Sequence, residues 1–160
     1  RDPEMSRGLG DVYKRQVPLG ADTVARYKYV SRNGRIDGYY SGYTFANQLG
    51  VITQVPYTLE IVSNNASAKV QEVNLQGRKV ILRKAKIPVT KENYKILQFL
   101  DFLKDVELYM DKNNEVYIER IKRYIVDEQI CKMDVDLYIR QYPDRTYRSI
   151  YEMGLYEFFV

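Results

Sequence analysis

The chain contains no histidine, no tryptophan and a single cysteine, Cys131. Without histidine, the commonest general base and the commonest metal ligand are both missing. One cysteine cannot close a disulfide within the chain, which suits a reducing cytoplasm. No apolar run approaches the ~20 residues that span a bilayer, and no secretory signal is visible. A membrane-embedded protein, a disulfide scaffold and a histidine-based catalyst are therefore not expected. The expectation is a cytoplasmic domain with no cofactor, no metal, no catalytic residues and no membrane partner.

What is present is ordinary in bulk and unusual in one respect. With 45% hydrophobic and 29% charged residues in 160 positions, the chain suits one globular domain with a sizeable core. Tyrosine is the anomaly, at 16 residues against 5 phenylalanines. Such a composition suits half-buried rings with hydroxyls at the rim, or else a stacking surface. The net charge of +4 is too small to indicate nucleic acid by itself.

Residues 1–16 lack apolar periodicity and join abruptly to Val17-Pro18-Leu19-Gly20. They resemble translated sequencing-adapter read-through, Asp11 to Gln16 above all, and are set aside from fold reasoning. The other reading is a native disordered tail. The domain is expected to run from 17 to 160 as the C-terminal part of a longer protein.

Within that span, Ala21 to Val30 can form a short helix, and Asn33-Gly34 is a turn signal before a strand from Ile36 to Tyr40. Ser41 is placed to cap a helix from Gly42 to Leu49, with Phe45 and Leu49 inward and Gly50 as its left-handed stop. Tyr57 to Ser63 alternates as a strand, with Tyr57, Leu59 and Ile61 on one face. Val70 to Leu75 and Arg78 to Lys84 read as a hairpin turned at Gln76-Gly77, and Val80-Ile81-Leu82 marks an interior strand.

The second half is helical. Thr90 caps a helix to about Lys104 carrying Ile96, Leu97, Leu100 and Leu103. A second runs from Val116 to Val126, and Val135, Tyr138, Ile139 and Tyr142 line a third that Pro143 closes. Tyr147, Ile150 and Tyr151 mark a last one before Gly154. The expected fold is α+β: a small, mostly antiparallel sheet of about four strands, followed by three to four helices that cover one of its faces.

Several groups invite a chemical reading. Glu60 and Glu72 lie on successive strands, but neither is followed by the lysine that a Glu-x-Lys nuclease pattern needs. They read as solvated strand faces. Asp134 and Asp136 lack a third ligand at useful spacing, and Asp134 suits a helix cap. The run Arg78, Lys79, Arg83, Lys84 and Lys86 is the strongest electrostatic feature and the candidate nucleic-acid contact. Alternation splits Arg78 and Lys84 from Lys79 and Arg83, which makes a poor continuous phosphate track. Tyr43, Asn47 and Gln48 are candidate partner contacts on the short helix.

Six segments together carry a family resemblance. They are Gly38-Tyr-Tyr-Ser-Gly-Tyr-Thr-Phe-Ala-Asn-Gln-Leu-Gly50, Thr53-Gln-Val-Pro56, Glu60-Ile-Val-Ser-Asn64, Gly77-Arg-Lys-Val-Ile-Leu-Arg83, Leu97-Gln-Phe-Leu-Asp101, and more loosely Tyr142-Pro-Asp144 with Tyr147. As a set they resemble the AbiEi-type antitoxins. The resemblance implies a type IV toxin–antitoxin, abortive-infection system in bacteria. It implies a non-enzymatic regulator that counters a nucleotidyltransferase-like toxin, with DNA bound through an N-terminal winged helix-turn-helix. That module is not found ahead of Val17, so this chain is expected to meet DNA weakly or not at all. A nucleic-acid-binding module using the basic strand is the alternative, and a degenerate nuclease-like enzyme a more distant one.

Overall fold

The computed structural model describes residues 20–160, so the readings of 1–16 and of the junction at Val17 lie outside the described residues. The chain enters through α1 (Ala21–Ala25), which continues as a π-helical turn over Arg26–Val30. Two short strands follow, β1 (Ser31–Arg32) and β2 (Arg35–Ile36), paired antiparallel around Asn33-Gly34. Both turn residues have positive φ, 53° and 84°, as a tight primed hairpin turn requires. β3 (Gly38–Tyr40) leads directly into α2 (Gly42–Leu49), and Gly50 ends that helix at φ 84°.

The main sheet comprises β3, β4 (Leu59–Ser63), β5 (Val70–Leu75) and β6 (Arg78–Lys84), in the spatial order β3-β4-β6-β5. β3 with β4 and β5 with β6 are antiparallel, whereas β4 and β6 run parallel in the middle. β5 is thus an edge strand, and β6 is the interior strand that its apolar centre predicts. Val80 and Leu82 are fully buried there. The hairpin turn at Gln76-Gly77 forms as expected, with φ of 52° and 83°.

The expected strand at Tyr57 begins only at Leu59, and Tyr57 is 76% exposed. The cause is Arg78, whose guanidinium donates to the carbonyls of Tyr57 at 2.6 Å and Pro56 at 3.2 Å. Those carbonyls are bonded sideways by a side chain rather than by a neighbouring strand.

Helices cover both faces of the sheet, where one covered face was expected. α1 and its π-turn seal one side through Ala25, Leu59, Ile61, Val80 and Leu82. On the other, Tyr39 and Val62 pack against Leu97 of α3 (Tyr94–Lys104). The largest core lies among the helices, where Phe45 and Leu49 of α2 meet Phe99, Leu100 and Leu103 of α3. Ile121 and Ile125 of α4 (Glu115–Asp127), Val135 of α5 (Lys132–Tyr138) and Ile150 of α6 (Asp144–Glu152) complete it. Truncating one such side chain to alanine costs ~2–5 kcal/mol.

Helix boundaries differ from expectation where side chains compete for backbone groups. Thr90 and Asn93 bond each other's backbone N–H reciprocally, so a turn precedes α3 and the helix proper starts at Tyr94. Pro143 does not close the third helix. α5 has already ended at Tyr138 and a 3₁₀ turn spans Ile139–Gln141, leaving Pro143 to open α6 at its N-cap. Many tyrosines are half-buried rings, among them Tyr109, Tyr124 and Tyr142, while Tyr57, Tyr147 and Tyr151 are exposed.

Candidate functional site

The register of the main sheet sets four side chains in one row. Tyr39 lies opposite Val62, Val62 beside Arg83, and Arg83 opposite Val70, so all four share the face turned toward α3. α3 covers the Tyr39–Val62 end of that row through Leu97 and Asp101. It leaves the Arg83–Val70 end open, and Val70 is 56% exposed. The result is a cleft of about 780 Å³, lined also by Gln141, Tyr142, Pro143 and Arg145.

At the closed end, the Tyr39 hydroxyl donates to Oδ2 of Asp101. Burial raises the Asp101 pKa, while the Tyr39 bond and the Lys104 charge pull it back down. Tyr39 is pushed well above the usual phenol range by burial and then by the neighbouring carboxylate, so it remains the donor. Tyr142 is raised for the same two reasons, and its hydroxyl donates to the Leu97 carbonyl at 3.4 Å.

The rim is cationic. Lys69, Arg83, Lys84, Lys86, Lys104 and Arg145 line the cleft, against Asp101 as the one carboxylate in its lining. Arg83 is held by Glu60 at 3.0 Å, and Lys84 Nζ donates to the Asn64 carbonyl at 2.7 Å. Arg145 donates to the Lys104 carbonyl at 2.8 Å and to Asp105 at 3.1 Å. Lys104 itself lies 3.8 Å from Asp101 and 4.0 Å from Asp105. Lys69 and Lys86 form no ion pair among the described residues. The segment carrying Lys86 is fixed by Asn64, whose side-chain amide both donates to and accepts from the Val89 backbone at 2.9 Å.

The basic strand is thereby re-sorted. Arg83, Lys84 and Lys86 reach the cleft, while Arg78 and Lys79 do not. Arg78 pairs with Asp22 at 2.9 Å, and Lys79 lies 3.5 Å from Glu72. Lys69, Lys104, Arg145, Tyr39, Asp101 and Tyr142 were not legible as site residues. Asp101 and Lys104 share α3, but the others come from separate elements, and it takes the β3–β4, β4–β6 and β5–β6 pairings and the packing of α3 to bring them together.

A second cluster lies at the start of α2. Ser41 occupies the N-cap, but its buried hydroxyl has no hydrogen-bond partner among the described residues. The cap is supplied from β4, where Glu60 Oε2 accepts from the Tyr43 N–H at 2.9 Å while Oε1 holds Arg83. A carboxylate there also meets the positive end of the helix dipole. Glu60 is therefore paired and largely buried rather than solvated, whereas Glu72 is the exposed strand-face residue that was expected, with Lys79 3.5 Å away. The Tyr43 ring packs edge-on to Tyr109 at 5.0 Å and remains 43% exposed. Asn47 is occupied internally, donating to the carbonyls of Ile52 at 2.9 Å and Gln54 at 3.3 Å. Gln48 is exposed.

Asp134 sits in the first turn of α5 rather than at its cap, which is Cys131. Among the described residues, no three His, Cys, Asp or Glu side chains group as a metal site requires. No helix among them is long and apolar enough to cross a membrane. Compared with protein-family models, curated proteins and solved structures, the chain matches none of them.

Proposed function

We propose that the chain is a non-enzymatic antitoxin or transcriptional-regulator module of a type IV toxin–antitoxin system, countering a nucleotidyltransferase-like toxin in the bacterial cytoplasm. One observation carries this reading. Of the six segments that bear the resemblance, five contribute a side chain to one cleft: Tyr39, Val62, Arg83, Leu97 with Asp101, and Tyr142. Tyr39, Val62 and Leu97 meet there as core beneath the cleft, while Arg83, Asp101 and Tyr142 are the members of the set that reach its lining from partly buried or exposed positions, where a bound partner would meet them.

Tyr43 and Gln48, both exposed on α2, are the proposed toxin contacts. Asn47 is assigned to holding the loop after that helix. Operator recognition is assigned to the winged helix-turn-helix that the family carries ahead of the position of Val17.

The test is growth rescue by co-expression with the toxin gene adjacent on the genome. Rescue is expected; Gln48→Ala, at an exposed side chain, should weaken it without lowering the melting temperature, and Tyr43→Ala should weaken it further, with some loss of stability because its ring packs on Tyr109. Failure of the folded chain to rescue, alone or joined to its upstream reading frame, sinks the reading.

A further inference from the structure

We propose that the cleft between β6, β5 and α3 binds a nucleoside phosphate, with the cationic rim taking the phosphates and the apolar wall taking the base. The inference rests on the composition and geometry of the cleft and not on the antitoxin reading.

Charge is the first argument. Five cations, Lys69 from the loop before β5, Arg83 from β6, Lys86 from the segment after it, Lys104 from the end of α3 and Arg145 from the start of α6, line one space, while Lys84 on the other face of β6 donates to the Asn64 carbonyl. Like charges gathered from elements so far apart repel one another, and a bound polyanion offsets that repulsion. Arg83, Lys104 and Arg145 are already oriented by Glu60, Asp101 and Asp105. Such preorganisation lowers the ordering cost of binding. Lys69 and Lys86 add charge that no ion pair among the described residues takes up, with Lys86 near enough to Asp101 for its charge to favour that carboxylate.

Shape and polarity define the rest of the ligand. A volume of about 780 Å³ falls within the range of small-molecule sites. Val70 and Ile87, above the buried Val62 and Leu97, offer apolar surface beside the half-buried Tyr142 ring, a surface suited to a planar base. Asp101 is the one carboxylate acceptor in the lining and can take an N–H of a base or a ribose hydroxyl. Inorganic phosphate would fill only the rim.

The experiment is isothermal titration of the full chain with ATP, GTP, adenosine, inorganic phosphate and single-stranded oligonucleotides of increasing length. The expected result is saturable one-site binding of a nucleotide, about tenfold or more tighter than phosphate or adenosine, and weakening as salt rises. A Lys69→Ala/Lys86→Ala double variant should lose about tenfold in affinity with an unchanged melting temperature, since neither side chain makes an ion pair among the described residues. A Lys28→Ala/Lys91→Ala control, altered elsewhere on the surface, should bind as the native chain does.

Absence of saturable nucleotide binding overturns the proposal, as does phosphate binding as tightly as ATP. Equal loss in the control also overturns it, and so does affinity that appears only with oligonucleotides and grows with their length. No toxin enters these measurements, so their failure leaves the rescue result standing, and the converse holds.

Discussion

The hydroxyl of Tyr39 on β3 donates to the Asp101 carboxylate on α3 across 62 positions of sequence, and Lys104 approaches the other oxygen of that carboxylate at 3.8 Å. This contact fixes the helix to the sheet where the cleft ends. It also places a mostly buried acid between opposing influences. Burial and the neighbouring Asp105 favour the protonated form, and the Tyr39 hydrogen bond and the Lys104 and Lys86 charges favour the carboxylate. Burial is the largest of them, so the folded pKa lies above the ordinary value.

The sign of the pH dependence follows from that order. Between the unfolded value of about 3.9 and the higher folded value, the native state binds more protons at this site than the unfolded chain does. The contribution of Asp101 to stability is therefore present at low pH and lost as pH rises through its folded pKa. Asp101→Asn should flatten that part of the profile while keeping an acceptor for Tyr39. Tyr39→Phe should steepen it, because one influence lowering the pKa is gone, and should cost ~1–3 kcal/mol at neutral pH. Urea unfolding midpoints across the acidic to neutral range measure both; an Asp101→Asn profile parallel to the native one would refute the assignment.

Gly42 and Gly154 separate backbone strain from side-chain displacement. Both have positive φ, 55° and 66°, so alanine is strained at either site by ~1–2 kcal/mol. Around Gly154 an added Cβ meets nothing within 4 Å, whereas at Gly42 it collides with the Glu60 carboxylate. That carboxylate is pinned by Arg83 and the Tyr43 N–H, so moving it removes the helix cap as well. Gly42→Ala should lose ~1–2 kcal/mol more than Gly154→Ala in thermal or urea unfolding. Equal losses would mean that Glu60 does not cap α2.

Asn64 offers a test of how the cationic segment is held. Asn64→Ala removes two 2.9 Å bonds to the buried Val89 backbone and should cost ~1–3 kcal/mol. Asn64→Asp keeps an acceptor for the Val89 N–H but loses the donor, and should fall between alanine and the native residue. Hydrogen exchange at the Val89 amide should accelerate in the order native, aspartate, alanine. Unchanged exchange in the alanine variant would show that the segment is held by other contacts.

Local chemistry made much of the fold legible. Asn33-Gly34 and Gln76-Gly77 turn where their positive φ requires, Gly50 stops its helix, and Phe45 and Leu49 enter the core that their i, i+4 spacing predicts. Misreadings arise where a distant side chain intervenes. Arg78 takes the carbonyls of Pro56 and Tyr57, and Glu60 supplies the cap that Ser41 was expected to give. The cleft lay further from view. Its cations at 69, 104 and 145 share no element or spacing, and the parallel pairing of β4 with β6 leaves no mark in either strand alone.

The row formed by Tyr39, Val62, Arg83 and Val70 makes the cleft a test of alignment fidelity. A one-residue slip of β6 would rotate Arg83 to the α1 side and turn Val80 and Leu82 out of the interior. Exposing those two side chains costs ~1.5–3 kcal/mol each, so misaligned sheets are suppressed by the core itself. The guard against slippage is local: Gln76 and Gly77 hold the tight turn, and Asn74 accepts from the Gly77 N–H at 2.9 Å. Three residues that never touch the cleft thereby decide whether a guanidinium or a leucine faces into it.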